Sequence, residues 1–288
     1  MNVTQLTAFH NGEISIHERM PPQPYRSGLM PLPADVEARL MPDGKPFYLH
    51  SGDRADAVVV CLHGYTGTPY EAAPAAKAIA DLGLHAVAPL LPGHGYRDRD
   101  DQRREFTRIT KDGMLAAARD EIAQARQRYS RVGLLGFSMG GAIALAMAAE
   151  GLVDCCAAVA PALRLPRQAE VLIPLLSWVP FTLPAVPQEP FYLPCYEFHH
   201  SYALRALWQL GRHARRQLTE IHCPVLGIHS HNDLTIPPVV LALMEERIPV
   251  PIETAWFDDS GHVMLLDASG AAVADTIADF FQRQLSAE

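Results

Sequence analysis

The sequence predicts an α/β fold in which a mostly parallel β-sheet carries helices on both faces. Short, wholly apolar runs recur along the chain, and stretches with apolar residues at helical spacing lie between them. Apolar runs of about four to eight residues are typical of strands buried on both faces. Their alternation with helices is typical of a parallel sheet. The length of 288 residues, 49% of them hydrophobic, fits one large domain of this kind.

Strands and helices are predicted to alternate from residue 57 to residue 285. The predicted strands are 57–62, 84–89, 131–137, 155–160, 224–229 and 252–257, and the predicted helices are 72–80, 112–128, 141–150, 199–217, 239–247 and 271–285. Two proline-rich segments lie outside this alternation. We expect residues 1–46, with apolar–polar alternation such as 13–17, to be an N-terminal extension of edge strands and turns. We expect residues 162–214 to be a small inserted cap, so that residues 1–161 and 215–288 form the core.

Composition narrows the partners that the chain can have. Lys and Arg number 24 against 32 Asp and Glu, and the net charge of −8 gives no electrostatic reason to bind nucleic acid or an anionic membrane. The N-terminus lacks the basic and apolar regions of a signal peptide, and five scattered cysteines do not form a disulfide framework. We therefore expect a cytoplasmic protein.

Two stretches invite other interpretations. Residues 171–187 carry no charge, but four prolines interrupt them and they fall short of a membrane span, so we predict an apolar surface element and no integral membrane span. Adjacent Cys155 and Cys156 lie in an apolar run and are predicted to be buried strand residues rather than a redox pair. Because the chain has no C-x-x-C motif, we expect no thiolate metal site.

The motif G-F-S-M-G at 136–140 lies between a predicted strand and a predicted helix. In this context G-x-S-x-G forms a sharp turn that presents a nucleophilic serine. The flanking glycines let the helix pack closely, and the N–H groups at the start of the helix can stabilise a developing oxyanion. We therefore predict Ser138 as the nucleophile, against the alternative of an idle serine in a glycine-rich turn.

The motif H-G-Y-T-G at 63–67 follows the first buried strand, about 75 residues before the predicted nucleophile. Its glycines allow backbone to approach a substrate. The N–H groups of Tyr65 and Met139 are predicted to form the oxyanion hole, whereas His63 is predicted to be structural. An ordinary turn after a strand is the alternative for this segment.

A serine hydroxyl needs a base, and thirteen histidines compete for that role. His262, in S-G-H at 260–262, follows a strand and precedes the last helix, and we predict it as the base. Asp233, just after the preceding strand, is predicted to orient the imidazole. The order Ser138, Asp233, His262 is the chain order of hydrolases whose nucleophile lies in G-x-S-x-G.

Other polar residues compete less well for these roles. His229 and His231 have the spacing of a metal pair, but side chains two apart near a strand end are more simply loop histidines. Asp258 and Asp259 are too close in sequence to His262 to be its natural orienting acid, although one could act as a rescue acid. His94, in L-P-G-H-G at 91–95, is predicted to tie a loop together.

These motifs together resemble the α/β-hydrolase superfamily. Within it, the chain resembles the monoacylglycerol lipase and carboxylesterase group, which is also classed with the serine aminopeptidase-like hydrolases. The resemblance covers about residues 58–285 and rests on H-G-Y-T-G at 63–67, L-P-G-H-G at 91–95, G-F-S-M-G-G at 136–141, Asp233 with I-P at 236–237, and S-G-H at 260–262.

The resemblance implies an eight-stranded, mostly parallel sheet, a cap inserted after the strand that ends near residue 160, oxyanion donors at Tyr65 and Met139, and no cofactor. Two features depart from the family pattern. Residues 96–105 are unusually charged and are predicted to be a solvated surface turn rather than a substrate sensor. The N-terminal extension of residues 1–46 is the second departure.

The predicted reaction is hydrolysis of carboxylic esters with short- to medium-chain acyl groups, monoacylglycerols among them. The apolar, aromatic cap suits an acyl chain, and Trp178, Phe181, Tyr192 and His199 are predicted to contact it. A thioesterase, acyltransferase, C–C bond hydrolase or aminopeptidase could use the same three residues. A non-catalytic binding protein is disfavoured because all three are present, and a dehalogenase because the nucleophile position is serine. The oligomeric state is left open.

Overall fold

The structure is a computed structural model that describes residues 25–52, 56–185 and 190–286. From residue 57 onward, one or two helices lie between most successive strands, as predicted. In chain order the elements are α1 (Ala34–Glu37), β1 (Phe47–Leu49), β2 (Ala57–Leu62), α2 (Ala73–Asp81), β3 (His85–Ala88), α3 (Arg99–Phe106), α4 (Lys111–Arg126), β4 (Arg131–Phe137), α5 (Met139–Ala149), β5 (Cys155–Val159), α6 (Arg167–Leu176), β6 (Thr182–Pro184), β7 (Phe198–His200), α7 (Ser201–Gln217), β8 (Val225–His229), α8 (Val239–Arg247), β9 (Ile252–Trp256) and α9 (Gly270–Leu285).

The described residues form a seven-stranded sheet in the order β1-β3-β2-β4-β5-β8-β9. All neighbouring pairs are parallel except β1 and β3, which are antiparallel. The mostly parallel sheet is confirmed, but within the described residues it has seven strands and not the eight implied. Arg26 forms only an isolated antiparallel bridge with Leu90 and so does not extend the sheet. The alternation predicted at 13–17 lies outside the described residues.

Strand β2 shows why the apolar runs predicted this architecture. Every residue of β2 is buried, because helices cover both faces of the sheet. Val58 and Val60 pack in the cluster that includes helices α4 and α5, whereas Val59 packs with α2 and α9 on the other face. A strand in this position has no solvent-facing side, so its sequence shows no polar alternation.

Cys155 and Cys156 lie in β5 with no exposed surface, as predicted for buried strand cysteines. Burial raises the pKa of both thiols.

The charged segment at 96–105 is mostly helical, so the prediction of a surface turn is wrong. Asp98 caps helix α3 by accepting the N–H groups of Asp100 and Asp101 at 2.9 and 3.2 Å. The side chain of Phe106 is fully buried and anchors the last turn of this helix. An N-terminal cap and one buried aromatic residue therefore order a segment whose composition alone indicates a turn.

The chain between β5 and β8 contains α6, the antiparallel pair β6–β7, and α7. Helix α7 was predicted to begin at His199, but it begins at Ser201. His199 and His200 lie in β7, where they pair with Leu183 and Thr182 of β6. Pairing with a strand distant in sequence overrides the local helical pattern here. Helix α7 ends at Gln217 and so extends past residue 214, where the cap was predicted to end.

Helix α6 and the residues after it expose much of their apolar surface, including Val171, Leu175 and Trp178, which are 55%, 67% and 66% exposed. Pro174 lies inside this helix. Among the described residues, no helix is both long enough and apolar enough to cross a membrane.

Candidate active site

Ser138 occupies the sharp turn between β4 and α5. Its φ of +52° and ψ of −110° are strained for a residue with a side chain, and its N–H donates to Val159 O at 2.8 Å. A Cβ at Gly136 would lie 2.1 Å from Gly140 O, and a Cβ at Gly140 would lie 2.3 Å from Leu62 O. Only glycine fits at these two positions, so the motif keeps the turn tight and holds the serine at the carboxyl end of the strand.

The structure brings Ser138, His262 and Asp233 into one hydrogen-bonded line. His262 Nε2 lies 3.0 Å from Ser138 Oγ, and His262 Nδ1 lies 2.7 Å from Asp233 Oδ2. Because a carboxylate can only accept, Nδ1 carries the proton and donates it to Asp233, which leaves Nε2 to accept the Ser138 hydroxyl. The three residues follow β4, β8 and β9, whose carboxyl ends share one edge of the sheet.

Asp233 accepts hydrogen bonds from two backbone N–H groups as well as from His262. Its Oδ1 accepts the N–H groups of Thr235 and Ile236 at 2.8 and 2.9 Å, and its side chain has no exposed surface. Burial alone raises the pKa of this carboxyl, but the hydrogen bond and charge of His262 together with the two N–H groups outweigh burial. The pKa of Asp233 therefore lies below its ordinary value, and the group is a carboxylate at neutral pH.

The turn that carries His262 is held by a residue that the sequence analysis missed. Asp267 accepts the Ser260 hydroxyl at 2.7 Å and the Gly261 N–H at 3.0 Å. Ser230 donates its hydroxyl to Ser260 O at 2.7 Å and so links the loop after β8 to this turn. An aspartate shortly after the predicted base was the available signal, but its partners could not be read from the sequence.

The predicted oxyanion donors lie on adjacent loops. Leu62, the last residue of β2, pairs with Gly136 in parallel register, so the loops after β2 and β4 leave the sheet side by side. Met139 is the first residue of α5, where backbone N–H groups have no intrahelical acceptor. The hydrogen bonds of the described residues do not use the Tyr65 N–H either.

His63 lies behind this loop with no exposed surface. Its Nε2 accepts the Leu91 N–H at 3.1 Å, and its Nδ1 therefore donates to Gly64 O at 2.9 Å. Burial, reinforced by nearby His94, holds the pKa of His63 well below its ordinary value, so the ring is neutral. Its position matches the structural role predicted for it.

His94 also ties a loop, since its Nδ1 lies 2.9 Å from Pro92 O. Burial lowers the pKa of its imidazole to about 4.

The alternative histidines do not converge on a site. His229 is buried at the end of β8, whereas His231 is exposed and stacks on Trp256 with ring centroids 3.9 Å apart. Asp258 binds His231 Nδ1 at 2.9 Å. In the part of the chain that the structure describes, no group of three or more His, Cys, Asp or Glu side chains could hold a metal ion.

Two of the four predicted substrate-contact residues are partly buried. The ring of His199 stacks on that of Tyr65, with centroids 5.8 Å apart and planes 19° apart, and burial lowers the pKa of this histidine. Phe181, just before β6, is half-buried, and its N–H lies 3.1 Å from Ser201 Oγ. His199 thus lies against the loop that carries a predicted oxyanion donor.

The other two predicted contacts lie at the surface and have other partners. The guanidinium of Arg205 lies 3.4 Å from the ring centroid of Trp178, which is mostly exposed. Tyr192 is also exposed and donates its hydroxyl to Asp43 at 3.1 Å.

Tyr196, which the sequence analysis did not single out, joins the segment between β5 and β8 to loops near the candidate site. Its backbone N–H donates to Thr66 O at 3.0 Å, and its hydroxyl donates to Gly93 O at 2.9 Å while accepting the Tyr96 N–H at 3.0 Å. Only 1% of this residue is exposed. The segment between β5 and β8 is therefore fixed to the loops that contain the glycine motifs at 63–67 and 91–95.

The fold and site define a member of a known family of enzymes. Residues 59–276 match the model of the alpha/beta hydrolase family, and the chain belongs to that family.

Its relatives include lipases and esterases. The chain is 27% identical over 254 residues to a thermostable monoacylglycerol lipase from Bacillus sp. (strain H-257), with 83% of this chain and 94% of the relative covered. It is 22% identical over 245 residues to a carboxylesterase from Bacillus subtilis (strain 168), with 83% and 96% covered. A structure from work on LipS and LipT, two metagenome-derived lipolytic enzymes, has a TM-score of 0.77 at 23% identity over 85% of this chain and all of that one. At that identity the structural likeness shows the fold.

Proposed function

We propose that the chain is a serine hydrolase that cleaves carboxylic esters of short- to medium-chain acyl groups, monoacylglycerols among them. The observation that carries the proposal is the continuous line from Ser138 through His262 to a buried Asp233, with contacts of 3.0 and 2.7 Å. The relatives named as a monoacylglycerol lipase and a carboxylesterase support the ester as the bond that is cleaved.

In this proposal Ser138 Oγ attacks the ester carbonyl while His262 Nε2 takes the hydroxyl proton. The carbonyl oxygen becomes negative and is stabilised by the N–H groups of Tyr65 and Met139. Asp233 stabilises the imidazolium, and His262 then gives the proton to the departing alcohol. Water, deprotonated by His262, attacks the acyl-enzyme and releases the carboxylic acid and free Ser138.

The acyl preference is supported by the surface of the insertion. In this proposal residues 162–214 act as a cap over a core formed by residues 1–161 and 215–288. The exposed apolar side chains of α6 and of Trp178 lie in this cap, and exposed apolar patches of this kind mark sites that bind apolar ligands or partners. Such a surface suits a hydrocarbon chain better than a charged peptide.

A chain-length series of p-nitrophenyl esters tests the proposal. We expect turnover from acetate to about decanoate, and we expect Ser138→Ala to lower kcat by about 10⁵-fold or more. A fluorophosphonate probe should label wild type and leave Ser138→Ala unlabelled. Ser27→Ala changes a serine outside the proposed site and serves as the control. Activity that persists in Ser138→Ala, or wild type inactive at every chain length, would contradict the proposal.

A further inference from the structure

A buried glutamate lies directly behind the loop that carries Tyr65. Glu71 belongs to the 3-10 turn Pro69–Ala72, and only 4% of its surface is exposed. Its Oε2 accepts the Gly64 N–H at 2.7 Å. A Cβ at Gly67 would lie 2.3 Å from both carboxyl oxygens, so the carboxyl group packs directly against the backbone there. Glu71 therefore contacts both glycines of the H-G-Y-T-G loop.

Other contacts fix the carbonyl side of the same loop. His63 donates to Gly64 O, and the backbone N–H of Tyr196 donates to Thr66 O. Thr66 has a φ of +64°, which is unusual for a β-branched residue and needs such support. The peptide N–H of Tyr65 lies between these fixed points. Glu71 provides the acceptor that holds the N–H side, at the residue immediately before Tyr65.

We propose that Glu71 is a positioning residue for the reaction, which holds the Gly64 N–H and fills the space beside Gly67 so that the Tyr65 N–H stays directed at the oxyanion. This inference rests on the proposed function, because it assumes that Tyr65 is an oxyanion donor. Glu71 acts through the backbone of the loop and does not itself touch substrate. A displaced donor stabilises the transition state less, while the bound substrate is affected little, so the effect falls on kcat.

The charge state of Glu71 fits this role. Burial raises the pKa of its carboxyl to about 8, although the Gly64 hydrogen bond partly opposes the shift. The group is therefore mainly protonated at neutral pH and adds no negative charge beside a developing oxyanion. Titratable neighbours on the surrounding elements are Tyr70, Cys195 and His63, the last of which binds the same Gly64. The Phe137 ring packs beside Gly64 and contacts the ring of His262. Within the described residues Glu71 forms no ion pair.

The test compares Glu71→Gln, which keeps a side-chain acceptor, with Glu71→Leu, which fills similar space without one. We expect Glu71→Leu to lower kcat about 10- to 100-fold with KM within about 3-fold, and Glu71→Gln to stay within about 3-fold of wild type at pH 7. Wild-type kcat should fall above about pH 8 as Glu71 ionises, and Glu71→Gln should lack that fall. Glu246→Gln, on the exposed face of α8, is the matched control and should retain the wild-type pH profile.

Three outcomes overturn the inference: wild-type kcat in Glu71→Leu, a loss in Glu71→Gln as large as in Glu71→Leu, or an alkaline fall that Glu71→Gln shares with wild type. The third outcome can still be measured if Glu71→Leu does not fold. Circular dichroism will show whether that variant folds. The labelling rate of Ser138 by a fluorophosphonate needs no ester, so Glu71→Leu can be judged even if the proposed substrates fail. Retained activity in Ser138→Ala instead overturns the proposed function.

Discussion

Two aspartate–histidine pairs lie in the loops after β8 and β9, and only one of them reaches a serine. Asp233 and His262 are 2.7 Å apart, and their side chains are 0% and 13% exposed. Asp258 and His231 are 2.9 Å apart, and their side chains are 55% and 59% exposed. Nearly the same contact distance therefore occurs once in a buried line with Ser138 and once at the surface.

The difference shows that a short Asp–His contact does not by itself identify a catalytic pair. The pKa of Asp258 is also lowered, by hydrogen bonds from the backbone and side chain of His231, as the pKa of Asp233 is lowered despite its burial. Water competes for the exposed pair and weakens it. Burial, two further N–H donors and a serine within reach distinguish Asp233 from Asp258.

The largest expected effect is a difference in kcat between variants of the two aspartate–histidine pairs. Asp233→Asn should lower kcat by about 10³- to 10⁴-fold, because an amide at this position no longer stabilises the imidazolium or selects the required tautomer. Asp258→Asn should stay within about 2-fold of wild type, because its histidine is not part of the line to Ser138. Steady-state rates on p-nitrophenyl butyrate measure both. A large loss in Asp258→Asn would mean that the exposed pair supports catalysis after all.

The next prediction tests what holds the buried pair in place. Asp267→Ala removes the acceptor of the Ser260 hydroxyl and the Gly261 N–H, so the turn that carries His262 should loosen. We expect kcat to fall about 10- to 100-fold, since misplacing a base by about 1 Å has costs of that order. Asp275→Ala, an exposed aspartate on α9, is the matched control. Equal activities of the two variants would show that the turn is rigid without Asp267.

The contribution of the buried pair to stability should depend on pH. The lowered pKa of Asp233 means that its stabilisation is complete above its ordinary pKa of 3.8 and is lost as the pH falls through the lower folded value. Asp233→Asn should therefore reduce the free energy of unfolding by about 2 kcal/mol at pH 7, and the difference should shrink below pH 3.8. Urea unfolding at pH 7, 4 and 3 measures this. The prediction fails if the difference is constant across the three pH values.

The smallest expected effect concerns a second exposed contact, that of Arg205 with Trp178. Arg205→Ala and Trp178→Ala should each lower the free energy of unfolding by at most about 1 kcal/mol, because solvent-exposed cation–π contacts are weak. A double-mutant cycle followed by urea unfolding isolates the contact. A coupling well above 1 kcal/mol would show that exposure is a poor guide to the strength of contacts in this molecule.

Much of the fold and of the candidate site could be predicted from the sequence, because both depend on local patterns. The apolar run of β2 predicted a buried strand with its observed bounds. The glycines around Ser138 predicted a turn in which only glycine fits. Parallel strands place their carboxyl ends at one edge, so the order of motifs predicted that Ser138, Asp233 and His262 would meet.

The features that could not be predicted from the sequence depend on contacts between distant segments, or on a single stabilising contact within a polar stretch. Glu71 and Asp267 accept backbone N–H groups several residues away, and the sequence does not show which N–H groups such acidic residues bind. His199 was assigned to a helix because its pairing with Leu183 across the insertion is not visible locally. Helix α3 was missed because its hydrophilic sequence hides the Asp98 cap and buried Phe106.

The segment between β5 and β8 has two parts, which differ in how firmly they contact the rest of the molecule. The contacts of Tyr196 with Thr66, Gly93 and Tyr96 fix the later part of this segment to the loops after β2 and β3. The leading half, residues 167–184, has mostly solvent-exposed side chains. A change within residues 167–184 should therefore leave these two loops in place, whereas a change at Tyr196 should alter the geometry of both at once.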